Sequence, residues 1–138
     1  MPAMLPLEFG SQQGFDLVAN VTMTRLVPGD PNNVFAATNP RTRIRAYFAG
    51  TDVPLNYYSE CPWHYGYVPT GDGNYTLPNG VAVIFETCWQ SANLIGKQVR
   101  IDLELVDSND QYAHASTTVT LAAPTTSYPV IDSPGCMH

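Results

Sequence analysis

Charge is what this 138-residue chain has least of: 6 Lys+Arg and 12 Asp+Glu, or 13% of the residues, about half the usual fraction in a soluble domain. A single lysine, Lys97, and a formal net charge of -6 leave no basic stripe to follow a phosphate backbone, which argues against nucleic acid as a partner. Long apolar runs are lacking too. Pro, Asp, Asn or Arg interrupts every candidate well short of the roughly 18 residues that a membrane helix needs. Residues 1–9 contain Pro2, Pro6 and Glu8 but no Lys or Arg, so they do not read as a secretion signal. Helical periodicity is absent except for about one turn at Ser91 to Ile95. The three cysteines form no Cys-x-x-Cys pair, which removes zinc ribbons, thioredoxin chemistry and haem attachment. No Gly-x-Ser-x-Gly elbow accompanies His64, His114 and His138, which are scattered along the chain. The expectation is therefore no enzyme and no cofactor. Disorder is excluded as well, since 44% of the residues are hydrophobic.

What is present is β patterning. Residues 15–27 alternate, with Leu17, Ala19, Val21 and Met23 on one face, and close on Pro28-Gly29-Asp30-Pro31. Residues 42–49 place Ile44, Ala46 and Phe48 together. Leu55 to Ser59 reads as a short third strand and residues 80–90, dense in β-branched and aromatic side chains, as a buried fourth. Residues 97–106 set Val99, Ile101, Leu103 and Leu105 inward against Arg100, Asp102 and Glu104 outward. After the polar turn Asp107-Ser108-Asn109-Asp110, residues 112–121 return as the second half of an antiparallel hairpin. Six or seven such strands predict an all-β, antiparallel sandwich over residues 15–121. It is flanked by extended arms, 1–14 and 122–138, rich in Pro, Gly, Ser and Thr. The arms carry only Glu8 and Asp132 as charges, so they are expected to lie along a surface, of their own domain or of a neighbour.

The stretch VRIDLELVDSNDQYAHASTTVTL, residues 99–121, resembles the final strand pair of immunoglobulin-like domains of bacterial surface proteins and tailed-phage particles. There an apolar strand ends in an Asp/Asn turn and a Thr/Val-rich strand closes the sheet. The Cys…Trp…Cys spacing of antibody domains is not matched, because Trp63 follows Cys61 by two residues. The resemblance, joined to small size, acidity and extended arms, implies a structural protein of the virion: a decoration or cement protein that stabilises a tailed-phage capsid. Its implied partners are other copies of itself, as trimers in many such proteins, and a major capsid or shell protein, with no nucleic acid and no membrane. The alternative is a secreted or cell-surface immunoglobulin-like binding module, carbohydrate-binding among the options.

Individual residues then become candidates. Five aromatics, Tyr57, Tyr58, Trp63, Tyr65 and Tyr67, lie within eleven residues; such side chains concentrate at interfaces and sugar platforms, and also in cores. Apolar pegs on the arms, Leu5, Leu7 and Phe9 on one and Tyr128, Val130 and Ile131 on the other, are candidate partner contacts. Cys61 and Cys88 could form a disulfide contributing roughly 3 kcal/mol, or could be two small buried thiols. Cys136 and His138 offer too few ligands for a metal. Asp107 to Asp110 lacks the glycine and glutamate of a calcium loop, so turn capping is the simpler reading.

Overall fold

The computed structural model describes residues 3–9, 14–57, 59–78, 80–131 and 134–136. In chain order the strands are β1 (Ala3–Pro6), β2 (Glu8–Phe9), β3 (Phe15–Ala19), β4 (Thr22–Thr24), β5 (Arg41–Phe48), β6 (Trp63–His64), β7 (Val68–Gly71), β8 (Asn74–Thr76), β9 (Val81–Ile84), β10 (Gln98–Val106) and β11 (Tyr112–Ala122). One helical turn, α1 (Ser91–Leu94), separates β9 from β10. The fold is all-β and sandwich-like, as the alternation predicts. One sheet runs β1-β11-β10-β5-β6, and two smaller sheets, β2-β3-β9 and β4-β8-β7, contribute to the same core. The order β11-β10-β5 sets the last two strands beside an earlier one.

Period-2 patterning explains the large sheet. Val99, Ile101 and Leu105 of β10 and Ile44 and Ala46 of β5 are buried against Phe15, Leu17 and Val83 of the opposite layer. The other parity faces water and carries four of the six basic residues, Arg41, Arg43, Arg45 and Arg100, together with Asp102 and Glu104. Register places Arg45 opposite Asp102 and Arg43 opposite Glu104. Two ion pairs bridge the strands, Arg43–Glu104 at 3.7 Å and Arg45–Glu104 at 3.6 Å; Arg45 also reaches Glu60 at 2.9 Å and Arg100 reaches Asp102 of its own strand at 3.2 Å, with the Arg100 guanidinium 4.3 Å above the Tyr47 ring. Exposed pairs like these contribute at most about 1 kcal/mol each. Their larger effect is on register, since a one-residue slip would bury charge and expose the core.

Several elements differ from the sequence expectation. The single strand over 15–27 breaks at Asn20 into β3 and β4, which pair with β9 and β8 respectively. The strand expected at Leu55 to Ser59 shrinks to one bridge, Asn56 to Phe85. Buried Asn56 explains this. Its Oδ1 accepts from Ala46 N at 2.9 Å and its Nδ2 donates to Ile44 O at 3.0 Å, so a side-chain amide takes the place of a neighbouring backbone.

Described parts of both arms pack on the sandwich. β1 pairs in parallel with β11, Ala3 opposite Val119 through Pro6 opposite Ala122, so the large sheet is mixed rather than purely antiparallel. Pro6 is tolerated because β1 is an edge strand. Leu7, 1% exposed, is the pivot at which the chain crosses into the other layer, where β2 pairs with β3. At the other end Tyr128 meets Phe15 edge-on at 6.0 Å. Gly135 then lies so close to Trp89 that a Cβ there would sit 2.7 Å from the indole.

The disulfide expectation is corrected. Cys88 is bonded to Cys136, with Cα atoms 5.1 Å apart, and Cys61 is a free, exposed thiol. Cys61 precedes edge strand β6 on the surface, whereas Cys88 lies half-buried in the turn before α1, where the C-terminal segment passes.

Candidate functional site

The site begins with a loop, residues 25–40, between β4 and β5. Its start is tied to the hairpin turn by Asp107, whose carboxylate is 2% exposed and accepts from Val27 N at 2.8 Å, Asn109 N at 2.9 Å and Gln111 N at 2.9 Å. Burial alone would raise this carboxyl's pKa, but the backbone donors of Val27, Gln111 and Asn109 outweigh it and hold it below the usual value. The turn caps itself through Asp107, as its Asp/Asn composition predicts.

Further along, buried Asn39 holds the loop from inside. Its Oδ1 accepts from Asp30 N at 2.8 Å, and its Nδ2 donates to Asn33 O at 2.8 Å and to His64 O at 3.3 Å. Asn33 Oδ1 accepts from Phe35 N at 3.0 Å. Gly66 packs directly beneath, where a Cβ would fall 2.2 Å from the Asp30 carbonyl carbon. Tyr67 N donates to Pro28 O at 2.8 Å. All these constraints hold one tip, at which Val34 is exposed and Phe35 is 91% exposed.

Beside this tip the segment 57–67 divides. Tyr67 turns into the core, where its hydroxyl pairs with Thr42 Oγ1 at 2.7 Å. Burial pushes its phenol up to about 12, against the smaller lowering effect of that hydrogen bond. Trp63, partly buried against the core, and exposed Tyr65 stack, with centroids 5.7 Å apart and planes 12° from parallel. With Val18, Pro31, Val34 and Leu77 they line a groove of about 430 Å³ in which Asp30 is the one charged side chain among the described residues. Tyr57 is exposed elsewhere, its hydroxyl accepting from Thr87 N at 3.3 Å. Tyr58 lies outside the described residues.

The sequence-derived contact residues therefore separate. Leu7 and Tyr67 are core and are withdrawn as partner contacts. Leu5, Phe9 and Tyr128 are partly buried against the core, Phe9 at 5.2 Å from Phe15. Tyr65, Val130 and Ile131 remain exposed, Val130 at 80%. Phe35, the most exposed large apolar side chain described, was missed. Its signal was an apolar pair, Val34-Phe35, set among asparagines in a loop with no strand to serve.

Glu86, Cys88 and Cys136 bring three potential ligand atoms within 4.8 Å. The two sulfurs are bonded to each other, so neither is available as the thiolate that a metal requires. His138 lies outside the described residues. No family model, curated protein or solved structure matches the chain.

Proposed function

We propose that this is a structural assembly protein, a decoration or cement protein that docks on the protein shell of a tailed-phage capsid. The observation that carries the reading is Phe35, held 91% exposed on a loop whose backbone is fixed from inside by Asn39. A large aromatic presented on a rigid support loses little entropy on binding and acts as an anchor for a partner's pocket. The stacked Trp63 and Tyr65 and the groove beside them extend the same surface. A disulfide suits the exposed surface of a particle that leaves the cell.

The test uses empty capsid shells assembled from the major shell protein of the same genome. The wild-type chain should co-sediment with them and raise the temperature at which they open. Phe35→Asp should co-sediment at least tenfold less while melting as the wild type does. Failure of the wild-type chain to bind such shells overturns the proposal.

One observation favours a second reading, the binding module. The Trp63–Tyr65 stack borders a groove as a sugar-binding platform does. A sugar also needs polar groups matched to its hydroxyls, and the groove lining offers few. On this reading Trp63→Ala abolishes glycan binding and leaves shell binding intact.

A further inference from the structure

Among the described residues, the outer edge of β11 is met by β1 and by Leu7, whose N donates to Ala122 O at 2.9 Å. β1 covers Val119 to Ala122, and no described strand pairs outside the span from Tyr112 to Thr118. Residues 112–117 are all exposed. Bare strand edges are templates for another strand, and proteins usually guard them with lysine, proline or a bulge. This span, YAHASTT, has none of these, and its pairing with β10 is regular throughout. A second, independent feature lies on its inner side. An apolar cleft of about 350 Å³ is lined by Leu5, Ile44, Ile101 and Leu103, with Ala115 and Thr117 from the bare span itself.

We propose that this edge is where a second copy of the chain adds its own β11, antiparallel, across a two-fold axis at Ala115. Three observations select a copy of the same chain as occupant. The span carries no Asp, Glu, Lys or Arg although the chain has a net charge of -6, so it is a neutral strip on which two like-charged copies can meet. It is self-complementary: pairing about Ala115 sets Ala113 opposite Thr117, His114 opposite Ser116 and Tyr112 opposite Thr118, each pair sharing a face and none joining like charges. Its limits also choose the register. Among the described residues the hairpin turn bounds the free span on one side and β1 on the other, so its midpoint is Ala115. Each copy extends the sheet of the other across the mouth of the cleft. Copies are thus joined in twos rather than in the threes that the family resemblance implies.

The test needs no shell, so its outcome is separate from that of the docking proposal. In a Cys61→Ser background, Ala115→Cys should give a disulfide-linked dimer on mild oxidation, because directly opposed Cα atoms fall within disulfide reach. Ala113→Cys should cross-link at least tenfold less. The Cys61→Ser protein should sediment as a monomer–dimer mixture between about 1 µM and 1 mM, the range fitting a small interface. Thr117→Lys, which enters the interface twice, should weaken that association at least tenfold with an unchanged melting temperature. Monomers throughout that range, trimers, equal cross-linking from positions 113 and 115, or an unaffected Thr117→Lys would each overturn the proposal.

Discussion

Glu8 and Asp16 stand directly opposite each other across β2 and β3, two carboxylates in a pair position. Partial burial, then the charge and the hydrogen bond of Glu8, raise the pKa of Asp16. A raised carboxyl favours the folded state most at pH below its unfolded value, and that contribution is lost as the pH rises through the folded value. Asp107 has the opposite sign. Its lowered pKa gives stability present above the unfolded value and lost as the pH falls through the folded one. Replacing Glu8 by Gln removes one of two opposed charges and should stabilise the protein by roughly 0.5 kcal/mol at pH 7. In urea unfolding at pH 7 and pH 3.5, the gain should shrink at the lower pH. A gain equal at both would mean that charge is not its cause. The role of Asp16 was not legible in the sequence, and that of Asp107 only in part. Asp107 read only as a turn former, and its hydrogen bond from Val27 N reaches across eighty residues.

At the scale of elements, the C-terminal segment is a strap. Tyr128 rests on Phe15, Gly135 on Trp89, and Cys136 bonds Cys88 across a separation of 48 residues. Closing a loop of that length removes chain entropy equivalent to roughly 4 kcal/mol from the unfolded state. Cys136→Ser should lower the unfolding free energy by about that amount in non-reducing urea titrations and shift the Trp89 emission to the red. Equal stability of the wild type with and without a dithiol reductant would contradict this. The bond was not legible because cysteine pairing depends on which loop passes which, and spacing alone does not say. The β10–β11 hairpin was legible because period 2 persists over nine residues of β10. β1, β2 and β6, of two to four residues, are too short to show a period. They form because their neighbours offer open edges. The arms were expected to lie on some surface, and the described part of the first lies on its own sandwich, with Leu7 as the buried pivot.

At the scale of the whole molecule, the scarcity of charge acquires a location. Arg41, Arg43, Arg45 and Arg100, four of the six basic residues, lie on the outer face of the large sheet or at its end, paired with acids of β10 and the adjoining turns. Both candidate contact surfaces, the Phe35 tip with its groove and the outer edge of β11, are nearly free of charge. Association through such an edge responds to salt in a definite direction. Two copies of net charge -6 repel over distances that salt screens, about 10 Å at 0.1 M. The edge itself contains no ion pair for salt to weaken. Raising NaCl from 50 mM to 1 M should therefore tighten the dimer several-fold, or at least not loosen it, in sedimentation equilibrium of the Cys61→Ser protein. An interface built on the arginine–carboxylate ladder would behave oppositely, since its attraction is the part that salt removes. Weakening at high salt would thus move the contact from the β11 edge to the charged face of the sheet.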